Sequence, residues 1–315
     1  MRALAFAVAL LVAAPATAQF PTKPIRMVVP FGAGSSTDIV MRILSPPLGQ
    51  ALGQAVVVEN KPGADGAIAA TEVAKSPADG HTLILGTNSP FSAVPHLRKS
   101  PPYDALRDFT PVTLVGNYTF FVVVHPSVPA RTLKDLMAYA RANPGKLNYG
   151  TGNTSSIVMT ALFARLANID LVHVPYKSEP PAITDLLSGT IQLMIASYAP
   201  AAPHLREGKL HALVTTLPNR SPLLPEVPSV VEAGLPKFPT ESWAGIFGPA
   251  KMPKDVTERI NREMNALLKR AAVRDNLLKQ AFEPRGMGTQ EFAAYAKQQF
   301  EVWGRAIRDA GIAPE

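Results

Sequence analysis

The segment Met27-Val-Val-Pro-Phe-Gly-Ala-Gly-Ser-Ser-Thr-Asp38 runs an apolar stretch into two glycines, three hydroxyl residues and the start of an amphipathic pattern. A strand that feeds a helix through a tight turn commits a chain to βα units. Glycine permits the turn and a close backbone approach to a ligand. The first turn of the following helix leaves N–H groups unpaired and carries a positive partial charge. Strand, turn, hydroxyls and helix start together form a pocket for an oxyanion that needs no charged side chain. The same hydroxyls would serve equally as ordinary helix caps.

That pattern recurs along the chain. Strands are expected at Ile25–Val29, Val56–Glu59, Leu83–Gly86, Phe120–His125 and Leu147–Tyr149, then at Leu171–Val174, Ile191–Ala196, Ala212–Thr215 and Trp243–Phe247. Helices are expected at Thr37–Leu52, Ala67–Lys75, Leu133–Asn143 and Ile157–Ala167, then at Pro181–Leu187, Val230–Ala233, Lys254–Lys269 and Thr289–Ala310. Strands alternating with helices predict an α/β fold with mostly parallel sheets flanked by helices. Pro46-Pro47 is expected to break or kink the first helix, since an interior proline costs about 3 kcal/mol. The stripe Phe292, Tyr295, Ala296, Gln299, Phe300, Trp303 has helical spacing and reads as core packing.

Two segments read as crossings between lobes. Phe120-Phe-Val-Val-Val124 opens a new βα series, and Glu241-Ser-Trp-Ala-Gly-Ile-Phe247 leads into a helical C-terminus. The expected division is therefore 19–120 with 242–315 as one lobe and 121–241 as the other. Two connecting strands would allow hinge closure around a ligand.

The N-terminus bounds where such a chain works. Arg2, an apolar run from Ala3 to Ala14 and Ala16-Thr-Ala18 form a secretory signal peptide expected over residues 1–18, with cleavage after Ala18. The chain contains no cysteine, which excludes disulfides, thiolate metal sites, a cysteine nucleophile and a lipid-modified cysteine. Export without a lipid anchor points to a Gram-negative periplasm. The net charge of +7 comes from scattered residues, so nucleic acid is not an expected partner. The six histidines lack H-x-x-x-H spacing, and neither a metal nor another cofactor is expected.

The chain also resembles a known family through many blocks in one order. They include Pro24-Ile-Arg-Met-Val-Val-Pro-Phe31, Ser36-Thr-Asp-Ile-Val40 and Val57-Val-Glu-Asn-Lys-Pro-Gly-Ala64. Further blocks are Asn143-Pro-Gly-Lys-Leu-Asn-Tyr-Gly150, Val172-His-Val-Pro-Tyr-Lys177 and Glu232-Ala-Gly-Leu-Pro236. These resemble the Bug-type periplasmic solute receptors of tripartite tricarboxylate transporters. The resemblance implies a type II periplasmic binding protein with a two-strand hinge, which closes on its ligand as a monomer and does no chemistry. It implies a small organic carboxylate as ligand and two integral membrane transporter subunits as partners.

It also implies a site made of four loops. The first holds Phe31, Gly34, Ser35, Ser36, Thr37 and Asp38, with Asp38 the member best suited to a scaffold role in the helix's first turn. The second is Thr87, Asn88 and Ser89 at a strand end. The third is Asn153, Thr154, Ser155 and Ser156, which repeats the logic of the first on the other lobe. The fourth contributes Tyr176, with Ser197 nearby. Relatives commonly carry an aspartate where Ala196 stands, so the resemblance implies a less acidic pocket. Lys177 reads as a solvated rim residue, and Trp243 as packing beside the crossing strands.

Two other outputs remain open at this stage. The same receptor could serve as the sensing subunit of a membrane histidine kinase. A secreted serine hydrolase is the reading from another class, but the chain lacks a G-x-S-x-G elbow. A dinucleotide-binding enzyme lacks its third glycine, because position 37 is Thr.

Overall fold

Strand β1 (Ile25–Val29) buries four of its five side chains, and the hydroxyl turn follows directly into helix α1 (Ser36–Leu52). The computed structural model describes residues 20–235 and 241–314; the expected signal peptide lies outside them. The chain continues through β2 (Val56–Asn60), α2 (Ala67–Ala74) and β3 (Thr82–Thr87). A π-helical turn at Ser89–Ala93 and the short α3 (Val94–Leu97) lead to β4 (Phe109–Tyr118). After Thr119 the chain enters β5 (Phe120–Val124), α4 (Leu133–Ala142), β6 (Asn148–Thr151) and α5 (Thr154–Ala167). Next come β7 (Val172–Pro175), α6 (Glu179–Leu187), β8 (Leu193–Ser197), α7 (Tyr198–Arg206) and β9 (His211–Thr215). It then returns through β10 (Ser242–Pro249), α8 (Lys254–Leu268), α9 (Ala271–Leu278), β11 (Phe282–Pro284) and α10 (Thr289–Asp309).

These strands form two sheets, in the orders β11-β4-β10-β3-β1-β2 and β7-β6-β8-β5-β9. In the first, β1 runs parallel to β2 and β3, whereas β10 is antiparallel to β3 and β4, and β11 to β4. In the second, β6 is parallel to β7 and β8, whereas β5 is antiparallel to β8 and β9. Both sheets are thus mixed, not mostly parallel as expected. Parallel neighbours need a crossover, usually helical. The crossing strands β5 and β10 arrive from the other sheet and insert against the local direction.

Several expectations give way to tertiary packing. Helix α1 runs unbroken through Pro46 and Pro47. Val40, Met41 and Leu44 on one side and Leu48 and Leu52 on the other are buried, which clamps both halves into the core. Burying each such side chain contributes about 1.5–3 kcal/mol, enough together to outweigh two prolines. The expected helix at Val230–Ala233 is a turn. Strands β4 and β11 and helices α3, α7 and α9 are additional elements. The α10 stripe is core as expected: Phe292, Tyr295 and Trp303 are buried, and Trp243 packs edge-on against Phe292 and Tyr295.

Candidate functional site

The turn between β1 and α1 is held from outside by one acid. Gly34 adopts φ +78°, a conformation open to glycine, and its N–H donates to Asp38 Oδ2 at 2.9 Å. Ser35 Oγ caps α1 by accepting from Asp38 N at 3.3 Å. Arg42 Nε donates to both Asp38 oxygens at 2.9 and 3.0 Å. Asn60 Nδ2 donates to Asp38 Oδ1 at 2.9 Å and to the Phe31 carbonyl at 3.0 Å. Burial pushes the Asp38 carboxyl up, but the bonds from Arg42, Gly34 and Asn60 outweigh it and hold it below its ordinary value.

The turn between β6 and α5 is built differently. Asn153 Oδ1 accepts from Ser156 N at 2.9 Å, and Ser156 Oγ donates to the Asn153 carbonyl at 2.8 Å. Gly152 lets the start of α6 lie against this turn, since a Cβ there would sit 2.3 Å from Glu179 N. Glu179, only 4% exposed, is thereby brought into the site. Its Oε1 accepts from Ser197 N at 3.0 Å, its Oε2 accepts from Ser197 Oγ, and the Asn153 side chain bonds to it as well. Burial pushes the Glu179 carboxyl up, against the pull of these neutral donors.

Hydroxyls and one amide join the two halves directly. Ser36 Oγ and Ser197 Oγ lie 2.7 Å apart. Ser155 Oγ accepts from Asn88 Nδ2 at 2.5 Å and lies 3.1 Å from Ser89 Oγ, which also accepts from Ser155 N at 3.3 Å. Asn88 is itself anchored to the crossing strand, its Oδ1 accepting from Ser242 Oγ and Trp243 N. Tyr118, at the end of β4, donates to Thr37 Oγ1 at 3.2 Å. Between these groups lies a cavity of about 30 Å³.

Ten of the expected site residues line that cavity: Phe31, Ser35, Ser36, Thr37, Thr87, Asn88, Ser89, Asn153, Ser155 and Ser197. Five lie outside its lining. Gly34 shapes the turn and Asp38 braces it. Ser156 closes on the Asn153 carbonyl, and Thr154 is buried with its hydroxyl unbonded among the described residues. Tyr176 donates to Asp185 Oδ2 at 2.5 Å, and burial with that bond pushes its hydroxyl up to about 12.

The lining also includes Gly152, which belongs to the third expected loop (Gly150–Ser156), and Tyr118, Phe120, Glu179 and Ser242, which were not anticipated. Glu179 adds a carboxyl to the pocket that the reading of Ala196 did not foresee. Ala196 is apolar, but α6 supplies a carboxyl from another direction. A usable signal was present in Ser178-Glu179-Pro180-Pro181, an acid at a helix start beside the fourth loop. Among the described residues no group of His, Asp and Glu could hold a metal ion.

With this geometry in view, the comparisons are direct. Residues 40–312 match the family described as tripartite tricarboxylate transporter family receptor, TctC. The chain belongs to this receptor family. The receptor is 33% identical to Protein BugT of Bordetella pertussis, over 95% of this chain and 93% of that one. A solved structure described as R. palustris Rpa4515 with adipate superposes with a TM-score of 0.91 at 32% identity, covering 94% of this chain and 100% of that one. MatC from Rhodopseudomonas palustris with bound malate superposes with a TM-score of 0.86 at 30% identity, covering 91% and 100% respectively. The receptor therefore has the two-lobed periplasmic binding protein fold, and its family is periplasmic.

Proposed function

We propose that the receptor captures a small organic carboxylate between its two lobes and delivers it to the membrane subunits of a tripartite transporter. The observation that carries this reading is the cavity wall: neutral hydroxyl and amide donors from both lobes converge on one point. The chain passes from the first sheet to the second between β4 and β5 and returns between β9 and β10, which supports lobes joined near residues 120 and 242. An acid that replaces the Ser36–Ser197 and Ser89–Ser155 contacts with its own bonds touches both lobes at once. Only such a ligand shifts an open–closed equilibrium, because one that binds both states equally shifts nothing. Adipate and malate in the two R. palustris structures support the ligand class.

Charge-assisted bonds from several donors in a dry cleft can supply the ~8 kcal/mol that micromolar affinity requires. The expected behaviour is binding without turnover, from a periplasmic location after removal of residues 1–18. Calorimetry and thermal-shift screening of dicarboxylates, tricarboxylates and aromatic acids test it. A bound acid at a hundred times its Kd raises stability by about 2.7 kcal/mol. Folded protein that ignores the whole panel would contradict the reading.

A further inference from the structure

Resting on the carboxylate reading, we infer that the captured acid also carries a protonated amine, and that Glu179 is the residue that selects it. Glu179 is a buried acid in a wall otherwise made of hydroxyls, amides and aromatic rings. Its partners are Ser197 N, Ser197 Oγ and the Asn153 side chain, all neutral. Buried charges are retained where they are paired, and neutral donors compensate a carboxylate only in part. The contrast with Asp38 is informative, because that carboxyl has Arg42 as a permanent cation. A plain dianion entering the cleft would bring like charge against Glu179. An ammonium brings a positive charge and a donor for the roughly one acceptor site that Ser197 N, Ser197 Oγ and Asn153 leave open on the Glu179 carboxyl.

The geometry narrows the class further. Ser36 Oγ meets Ser197 Oγ at 2.7 Å, and Ser197 Oγ in turn donates to Glu179. The donors for the acid and the acceptor for the amine are thus linked through a single serine. A solute that satisfies both carries the two groups on the same or neighbouring carbons, as an α-amino acid does. Thr87 Oγ1 lines the same cavity and is buried without a hydrogen-bond partner among the described residues. It is a further polar atom for the ligand's other end.

The test is calorimetry near neutral pH on the full receptor with matched acid pairs: succinate and aspartate, glutarate and glutamate, adipate and 2-aminoadipate. At least one amino member is expected to bind about tenfold or more tighter than its plain partner. Glu179→Gln is expected to erase that advantage, weakening the amino member by the same tenfold or more while its plain partner binds no worse. Plain acids that bind wild type as tightly as their amino partners would overturn the inference and leave the carboxylate reading standing. An amino preference that survives in Glu179→Gln would do the same. If folded wild type binds neither class, the carboxylate reading falls and this inference with it. The wild-type comparison decides the matter even where the variant folds poorly.

Discussion

The two turns that meet at the cleft look alike in sequence and are braced in opposite ways. Both place hydroxyls before a helix, and both cap it with the first polar side chain, Ser35 for α1 and Asn153 for α5. The first turn keeps its acid outside the cavity, where Asp38 is tied to Arg42, Asn60 and the Gly34 N–H. The second has no acid in its own first turn and receives Glu179 from α6, inside the cavity. One carboxyl is therefore scaffold, balanced by a cation. The other lines the cavity and is balanced by neutral donors. Both side chains are almost closed to solvent, but Glu179 lies deeper in the protein and lacks a cation, so depth and partner set together separate the roles.

The largest expected effect comes from removing the space that lets Glu179 in. Gly152→Ala puts a Cβ 2.3 Å from Glu179 N and 2.5 Å from Ser178 C, both backbone atoms that cannot swing aside. Overpacking of this kind costs about 3 kcal/mol, the upper end of its range. Scanning calorimetry should show a lower Tm together with a lost ligand response. An unchanged Tm would mean that α6 is not wedged against this turn.

Next in size is the loss of donors on the first turn. Ser36→Ala combined with Thr37→Ala should weaken acid binding by about 2–3 kcal/mol if each hydroxyl bonds the carboxylate. Ser155→Ala on the second turn should cost about 1–1.5 kcal/mol. Unchanged affinity in either variant returns those hydroxyls to a purely structural role.

The two acids then separate by pH. Asp38 is held below its ordinary 3.8, so its contribution is present above that value and lost as pH falls through the folded one. Glu179 is pushed above its ordinary 4.5, so the folded state holds its proton longer than the unfolded state does. Stability therefore falls as pH rises from 4.5 through the folded value. Asp38→Asn should lower Tm most at neutral pH and least in acid, while Glu179→Gln should gain on wild type as pH rises. Parallel Tm-versus-pH curves for both variants would abolish the distinction between them.

The smallest effect on binding is expected at Tyr176. Its hydroxyl is committed to Asp185, so Tyr176→Phe should cost about 1 kcal/mol of stability and leave acid affinity unchanged. A tenfold affinity loss in titration calorimetry would put the ring back in the site.

What was legible in the sequence was local. Gly34, Ser35 and the hydroxyls after them announce a strand-to-helix turn, and Asn153 announces the second, because capping depends on residues three apart. Strand β4 was hidden because Pro111 and Gly116 interrupt its pattern, and its pairing with β10 shifts register twice. Helix α7 was hidden by Pro200 and Pro203, which sequence reasoning takes as breakers. The mixed sheets follow from strands that cross between lobes, a long-range property with no local signal. Glu179 carried a partial local signal, an acid at a helix start, but its place in the cleft depends on a distant loop. Nothing in Ser178-Glu179-Pro180 shows that Gly152, in another loop, leaves room for it.

A crystal structure of the receptor with a bound acid tests the central claim most directly. The solute's carboxylate is expected to accept hydrogen bonds from residues 35–37 on one side and from residues 153–155 or Ser197 on the other. A solute bound elsewhere, or gripped by one lobe alone, would contradict it.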